Sequence, residues 1–197
     1  MRKIFSIRLR LQRSVAAFSH DCAGLAATEF AFIVPLMLVM FFGTIEVSSA
    51  VAVDRKVTLM ARTLSDLTSQ STSVADTDLT NFFNAAIGIM TPYTSSTTNS
   101  TISELYVDST GSARVQWSKG SSPRTTGTTV AIPTALQISG TYLIYSEVNY
   151  KYVPSIGYVL AKTGITLSDV AYTRPRQSTC VIYPTPSSGT TPACPTS

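Results

Sequence analysis

The feature that most constrains this chain is an apolar run near its N-terminus. From Ala31 to Ile45 it reads Ala-Phe-Ile-Val-Pro-Leu-Met-Leu-Val-Met-Phe-Phe-Gly-Thr-Ile, without one charged side chain. Glu29 and Phe30 precede it and Glu46 follows it. A helix rises about 1.5 Å per residue, against a hydrocarbon core about 30 Å thick. Phe30 to Ile45 alone covers about 24 Å, so a membrane span must draw on its flanks. Extending it back to Leu25 takes in Glu29, and extending it forward to Val53 takes in Glu46. At least one carboxylate then lies at or inside the bilayer edge. An ionisable group there costs about 3 kcal/mol or more, which makes it a candidate functional position. The plainer reading leaves the two glutamates at the two interfaces, with no special part to play.

What lies before the run is short and basic. Residues 1–24 carry Arg2, Lys3, Arg8, Arg10 and Arg13 against Asp21, which accounts for the whole formal charge of +4. From Leu25 onward ten basic side chains balance ten acidic ones. The high pI therefore belongs to a leader and is no sign of nucleic-acid binding. Five cations before the span, against Arg55, Lys56 and Arg62 after it, point to a cytoplasmic N-terminus and an external C-terminus. Ala50-Val51-Ala52 fits a small-x-small signal-peptide site, but the basic region and the apolar run are both long for a secretory signal. Cys22 precedes the run, where it cannot serve as a lipoprotein anchor.

The helix is expected to outlast the membrane, to about Thr68. Ala50, Val53, Val57, Met60, Leu64 and Leu67 recur at spacings of three and four, with Asp54, Arg55, Arg62 and Asp66 on other faces. Such a stripe packs either on the chain's own head, the reading preferred for residues 57–67, or on neighbouring subunits, preferred for 25–50. Pro35 removes one helical hydrogen bond and is expected to kink or loosen the stem.

The rest reads as a small mixed domain. Asp76 to Asp78 supply a cap for a second helix over Leu79–Met90, whose Phe82, Phe83, Ala86, Ile87 and Met90 share one face, and Pro92 ends it. Ile102 to Val107 and Ala113 to Trp117 have strand composition, joined by a turn at Asp108-Ser-Thr-Gly111. Gly120 to Thr129 reads as a polar loop. Thr141–Val153 is the best strand, closed by Pro154, and Ile165–Tyr172 is another. Ser178 onward is Pro/Ser/Thr-rich and irregular. There Cys180 and Cys194 can pair in an oxidising compartment, closing a loop worth on the order of 3 kcal/mol. Two free thiols or a metal pair are the alternatives, though two cysteines without a histidine make a poor zinc site. The fold class expected is α+β: a long transmembrane and stem helix, then a small extracytoplasmic head with a second helix and an antiparallel β-sheet. The divisions are a leader (1–24), a span (25–53), its continuation (54–70), a head (71–176) and a tail (177–197).

Chemistry is hard to place on such a chain. Its one histidine, His20, is in the leader, so histidine-based nucleophile arrangements are excluded from the head. No glycine-rich phosphate loop occurs. Glu104, Asp108, Glu147 and Asp169 are scattered, with no recognisable acid–base pair. Asp76 and Asp78 lack the further ligands a metal loop needs. The expectation is a non-enzyme without metal, cofactor or nucleic acid.

Gly24-x-x-x-x-Glu29-Phe30 at the head of an apolar helix resembles the type IV prepilin cleavage motif. The longer stretch from Ala27 through Pro35 to Gly43-Thr-Ile-Glu46 resembles the TadE-like pseudopilin family of the tight-adherence (Tad) pilus system. The likeness is good over residues 24–70 and loose over 141–176, where Tyr150-x-Tyr152-x-Pro154 and Arg174-Pro-Arg176 carry it. It implies a pilin-like chain cut between Gly24 and Leu25 by a membrane prepilin peptidase. Its partners would be other pilins or pseudopilins and the assembly platform in the bacterial inner membrane. A cut there would make Glu29 the fifth residue, placed to pair with an N-terminal amine on Leu25 or on a neighbouring subunit. The alternative is an uncleaved, single-pass anchor whose periplasmic head contacts pilus or envelope components.

Overall fold

A computed structural model describes residues 23–154, 164–186 and 193–195. Residues 1–22 of the leader, His20 and Cys22 among them, lie outside the described residues. The chain divides into two compact units, Met1–Ile45 and Glu46–Ser197.

Helix α1 runs Ala23–Ser69. By length and composition it can cross a membrane. In the first unit its large side chains are bare, with Phe32 83% exposed. The hydroxyls of Thr28 and Thr44 donate back to the carbonyls of Leu25 and Met40, each at 2.8 Å, so neither needs water. The helix continues through Pro35, which has no N–H to offer the Ala31 carbonyl.

In the second unit, α1 from Glu46 onward is the spine of the head. Val53, Val57, Met60, Ala61 and Leu64 are wholly buried, and Ala50 and Leu67 are half-buried at the ends of the stripe. The stripe packs on the chain's own head, joining one core with Ile102, Ile144, Val148 and Tyr150.

Helix α2 spans Asp76–Gly88 and adds Leu79, Ala86 and, just past its end, Met90 to the same core. Its N-cap position is Ala75, not an aspartate as expected. Asp78 works instead from inside the first turn, accepting the Ala75 N–H at 2.9 Å. Beyond the helix's other end, Lys56 Nζ donates to the carbonyls of Ile89 (2.7 Å) and Thr91 (2.9 Å), a tie from α1.

The strands are β1 (Thr98–Val107), β2 (Ala113–Gly120), β3 (Thr129–Val130), β4 (Tyr142–Tyr152) and β5 (Ile165–Thr173). They form one antiparallel sheet in the order β3-β2-β1-β4-β5. At the β1–β2 turn, Asp108 accepts the N–H groups of Thr110 and Ser112 at 2.8 and 3.0 Å. Gly111 there takes φ 83°, open to glycine at little cost. The short strand β3 and a 3₁₀ turn at Thr134–Leu136 were not foreseen.

Each sheet face has its own core. One face meets α1, where small side chains let backbone approach backbone. Ser146 Oγ donates to the Ala61 carbonyl at 2.5 Å, and Ser65 Oγ to the Thr173 hydroxyl at 2.7 Å. The other face buries Leu105, Val115, Leu143 and Tyr145 with Val130 and Ile132. A bulge sorts β2 between the two. Glu104 pairs with Trp117 and Leu105 with Val115, so Gln116 is the extra residue. Simple alternation would put Val115 and Trp117 on one face. The bulge sends Val115 to the outer core and Trp117 to the stem side.

Candidate functional site

The N-terminal motif lies on the first turns of α1. Gly24, Leu25 and Glu29 are all exposed. A Cβ built on Gly24 meets nothing within 4 Å, and its backbone is not in the left-handed region that favours glycine. A glycine inside a helix costs about 1 kcal/mol relative to alanine. Among the described residues nothing packs where a side chain at this position would lie, as is also true of Gly43.

Glu46, the first residue of the second unit, has a partner in the head. Tyr152 Oη, at the end of β4, donates to its Oε2 at 3.0 Å. Burial, then this carboxylate, hold the Tyr152 hydroxyl up at about 12. Sequence reasoning marked Glu46 for its place beside the apolar run and gave no hint of the tyrosine, which lies 106 positions away.

Glu104, in the sequence one of four scattered head carboxylates, is wholly buried in the fold. Its side chain has no exposed surface, and it faces the segment that follows β5. Its Oε1 accepts the Val181 N–H at 2.5 Å, and its Oε2 accepts Trp117 Nε1–H at 3.1 Å. Trp117 also donates to the Val181 carbonyl at 2.7 Å. Burial outweighs both donors and raises the carboxyl from its usual 4.5 to about 7. An acid between Ser103 and Leu105 in a strand carries no sign of this, because the segment that covers it arrives from the other end of the chain.

That segment is a strap. Arg176 donates its backbone N–H to the Ser69 carbonyl at 2.9 Å, and its guanidinium pairs with Asp66. Ile182 bridges Ser73 in parallel, and its carbonyl accepts the Val74 N–H at 2.9 Å. Cys180 and Cys194 are joined by a disulfide, with Cα atoms 5.8 Å apart. Tyr183 closes the edge, 5.6 Å from Trp117 and donating to Asp76 at 2.8 Å.

Among the described residues, no three His, Cys, Asp or Glu side chains gather as a metal site would need. Among the described residues, the surface cleft at Arg62, Asp66 and Thr173 and that at Phe83, Thr98 and Gly120 hold no acid–base pair.

Fold and exposed stem together define a class: a head built around the second half of a helix whose first half has the composition of a membrane span. Residues 24–64 match the family model described as TadE-like protein. The match takes in Gly24, Glu29, Pro35 and Glu46 and ends within α1. No curated protein and no solved structure matches the chain significantly.

Proposed function

We propose that the protein is a pseudopilin, or minor pilin, of a Tad-type pilus, a structural component and not an enzyme. The leader is cut between Gly24 and Leu25 by a prepilin peptidase. The stem stays in the bacterial inner membrane, with its N-terminus cytoplasmic and its head periplasmic, until it joins other pilins or the assembly platform. Glu29 then pairs with an N-terminal amine, which offsets the cost of a carboxylate in an apolar setting. Pro35 loosens the stem as it leaves the lipid.

The observation that carries this reading is the TadE-like match over the segment whose apolar side chains are exposed in the first unit.

The mature N-terminus tests it. N-terminal sequencing of the protein from piliated cells should begin at Leu25. A chain beginning at Met1 would favour the uncleaved periplasmic anchor, and one at Val53 a signal peptide. Gly24→Arg should block processing. Glu29→Ala should leave cleavage largely intact yet impair assembly, and normal piliation in that variant would remove the pairing role.

A further inference from the structure

The strap after β5 is attached unevenly. Near its two ends the side-chain ties are exposed: Arg176 to Asp66, and Tyr183 to Asp76. Exposed ties of this kind hold little. Between them, Ile182 is bonded to the connection between α1 and α2. Its N–H donates to the Thr72 carbonyl at 3.1 Å, and its carbonyl accepts the Val74 N–H at 2.9 Å. The grip on the sheet runs through Val181, whose N–H goes to Glu104 and whose carbonyl takes the Trp117 Nε1–H. The strap therefore closes on a carboxylate that has no exposed surface.

A dry carboxylate needs a cation or a proton. On the sheet face that Glu104 shares, β1 adds Tyr106, β4 adds Tyr142 and β2 adds Lys119. Lys119 is engaged elsewhere, with its Nζ 3.4 Å from Asp76 and 4.8 Å from the centre of the Tyr183 ring. Helix α2 contributes Asp76 itself, and the end of α1 contributes Asp66, already paired with Arg176. Among the described residues none of these forms an ion pair with Glu104. With the strap down, a proton removes a charge that no cation opposes. With the strap up, water hydrates that charge.

We propose that the strap is a pH-operated latch, closed over protonated Glu104 and lifted from Val181 when Glu104 ionises, while the stem core stays folded. The stem stripe packs on Ile102, Ile144 and Val148, which β1 and β4 hold by pairing with each other. Both cysteines of the disulfide follow β5, so the strap lifts without breaking it. Lifting uncovers Glu104 and Trp117, the two side chains that Val181 covers. The closed latch holds the Glu104 carboxyl at about 7 against an ordinary 4.5. Closure is therefore favoured most below about 4.5, and that preference is lost as pH rises through about 7.

Amide hydrogen exchange of the full, oxidised chain in detergent tests the latch. Protection is read by mass spectrometry at pH 5 and pH 8, corrected for the intrinsic exchange rate at each pH. Peptides covering Val181 should lose about 70-fold in protection between the two, as the shift at Glu104 requires. Peptides from Leu143–Val148 of β4 should change far less. Glu104→Gln should keep the strap's protection the same at both pH values. Equal losses in the strap and in β4 would overturn the latch, because the whole head would be opening as one. Strap protection independent of pH in the parent would overturn it too, as would an undiminished loss in Glu104→Gln. Should that variant misfold, the comparison of strap with β4 in the parent chain still decides.

Discussion

The two halves of α1 are both rich in apolar side chains and fare differently. From Leu25 to Ile45 nearly every face is apolar, and the large side chains are exposed. From Glu46 to Ser69 one apolar stripe is buried, with Asp54, Arg55 and Arg62 exposed on other faces and Val47, Val51 and Leu59 left outside the stripe. An all-round apolar helix asks for an apolar solvent, whereas a stripe asks for one protein surface. The change of pattern near Glu46 marks where the chain stops depending on its surroundings and starts depending on itself.

Substitutions should separate the halves most sharply in the core. Leu64→Ala removes a fully buried side chain and should cost about 2–5 kcal/mol, lowering the melting temperature of the head by several degrees or more. Leu38→Ala, in the exposed half, should leave that transition where it is. Near-UV circular dichroism of the detergent-solubilised chain, with Trp117 as probe, reads both. An equal effect from both would mean that the first half also packs on protein.

Next in size is the strap. Replacing Cys180 and Cys194 by serine should destabilise the head by on the order of 3 kcal/mol, through the freedom returned to the unfolded chain. Reductant should reproduce the loss in the parent chain and have no effect on the double variant.

Glu104 should give a comparable effect that depends on pH. The folded chain holds its proton more tightly than the unfolded chain does. The stability contributed is full below about 4.5 and is lost as pH rises through about 7, amounting to about 3 kcal/mol. Urea unfolding of the parent should show this fall across that window, and Glu104→Gln should flatten it. A parent chain equally stable at pH 5 and pH 8 would show that the Val181 and Trp117 donors satisfy the charged form after all.

The smallest effect is expected where the halves meet. Tyr152→Phe removes one hydrogen bond to a carboxylate and should cost about 1–2 kcal/mol of head stability. A cost near zero would place the working boundary further along the helix, nearer Val53.

Much of this was legible because it depends on local pattern. The three-and-four spacing gave α1 its buried stripe, and the turn at Asp108–Gly111 gave the first hairpin. Strands β4 and β5 lie within a residue or so of where β-branched and aromatic composition put them. The cap of α2 was displaced because an aspartate can serve a helix from its first turn as well as from its cap. The sorting of Val115 and Trp117 was hidden because a bulge at Gln116 leaves no local mark. The buried state of Glu104 was hidden because its cover, Val181, lies 77 residues away.

The sequence by itself determined the parts that need only neighbouring residues: an apolar span, a striped stem, a second helix, and strands with their turns. These follow from periodicity and composition, which act within a few residues. Only the tertiary structure decided that a tyrosine at the end of β4 meets Glu46, and that a late strap closes over a carboxylate. It also decided which sheet face each strand residue joins. Those outcomes come from surfaces brought together by chain folding, where burial and hydrogen-bond partners are set by segments that share no local sequence.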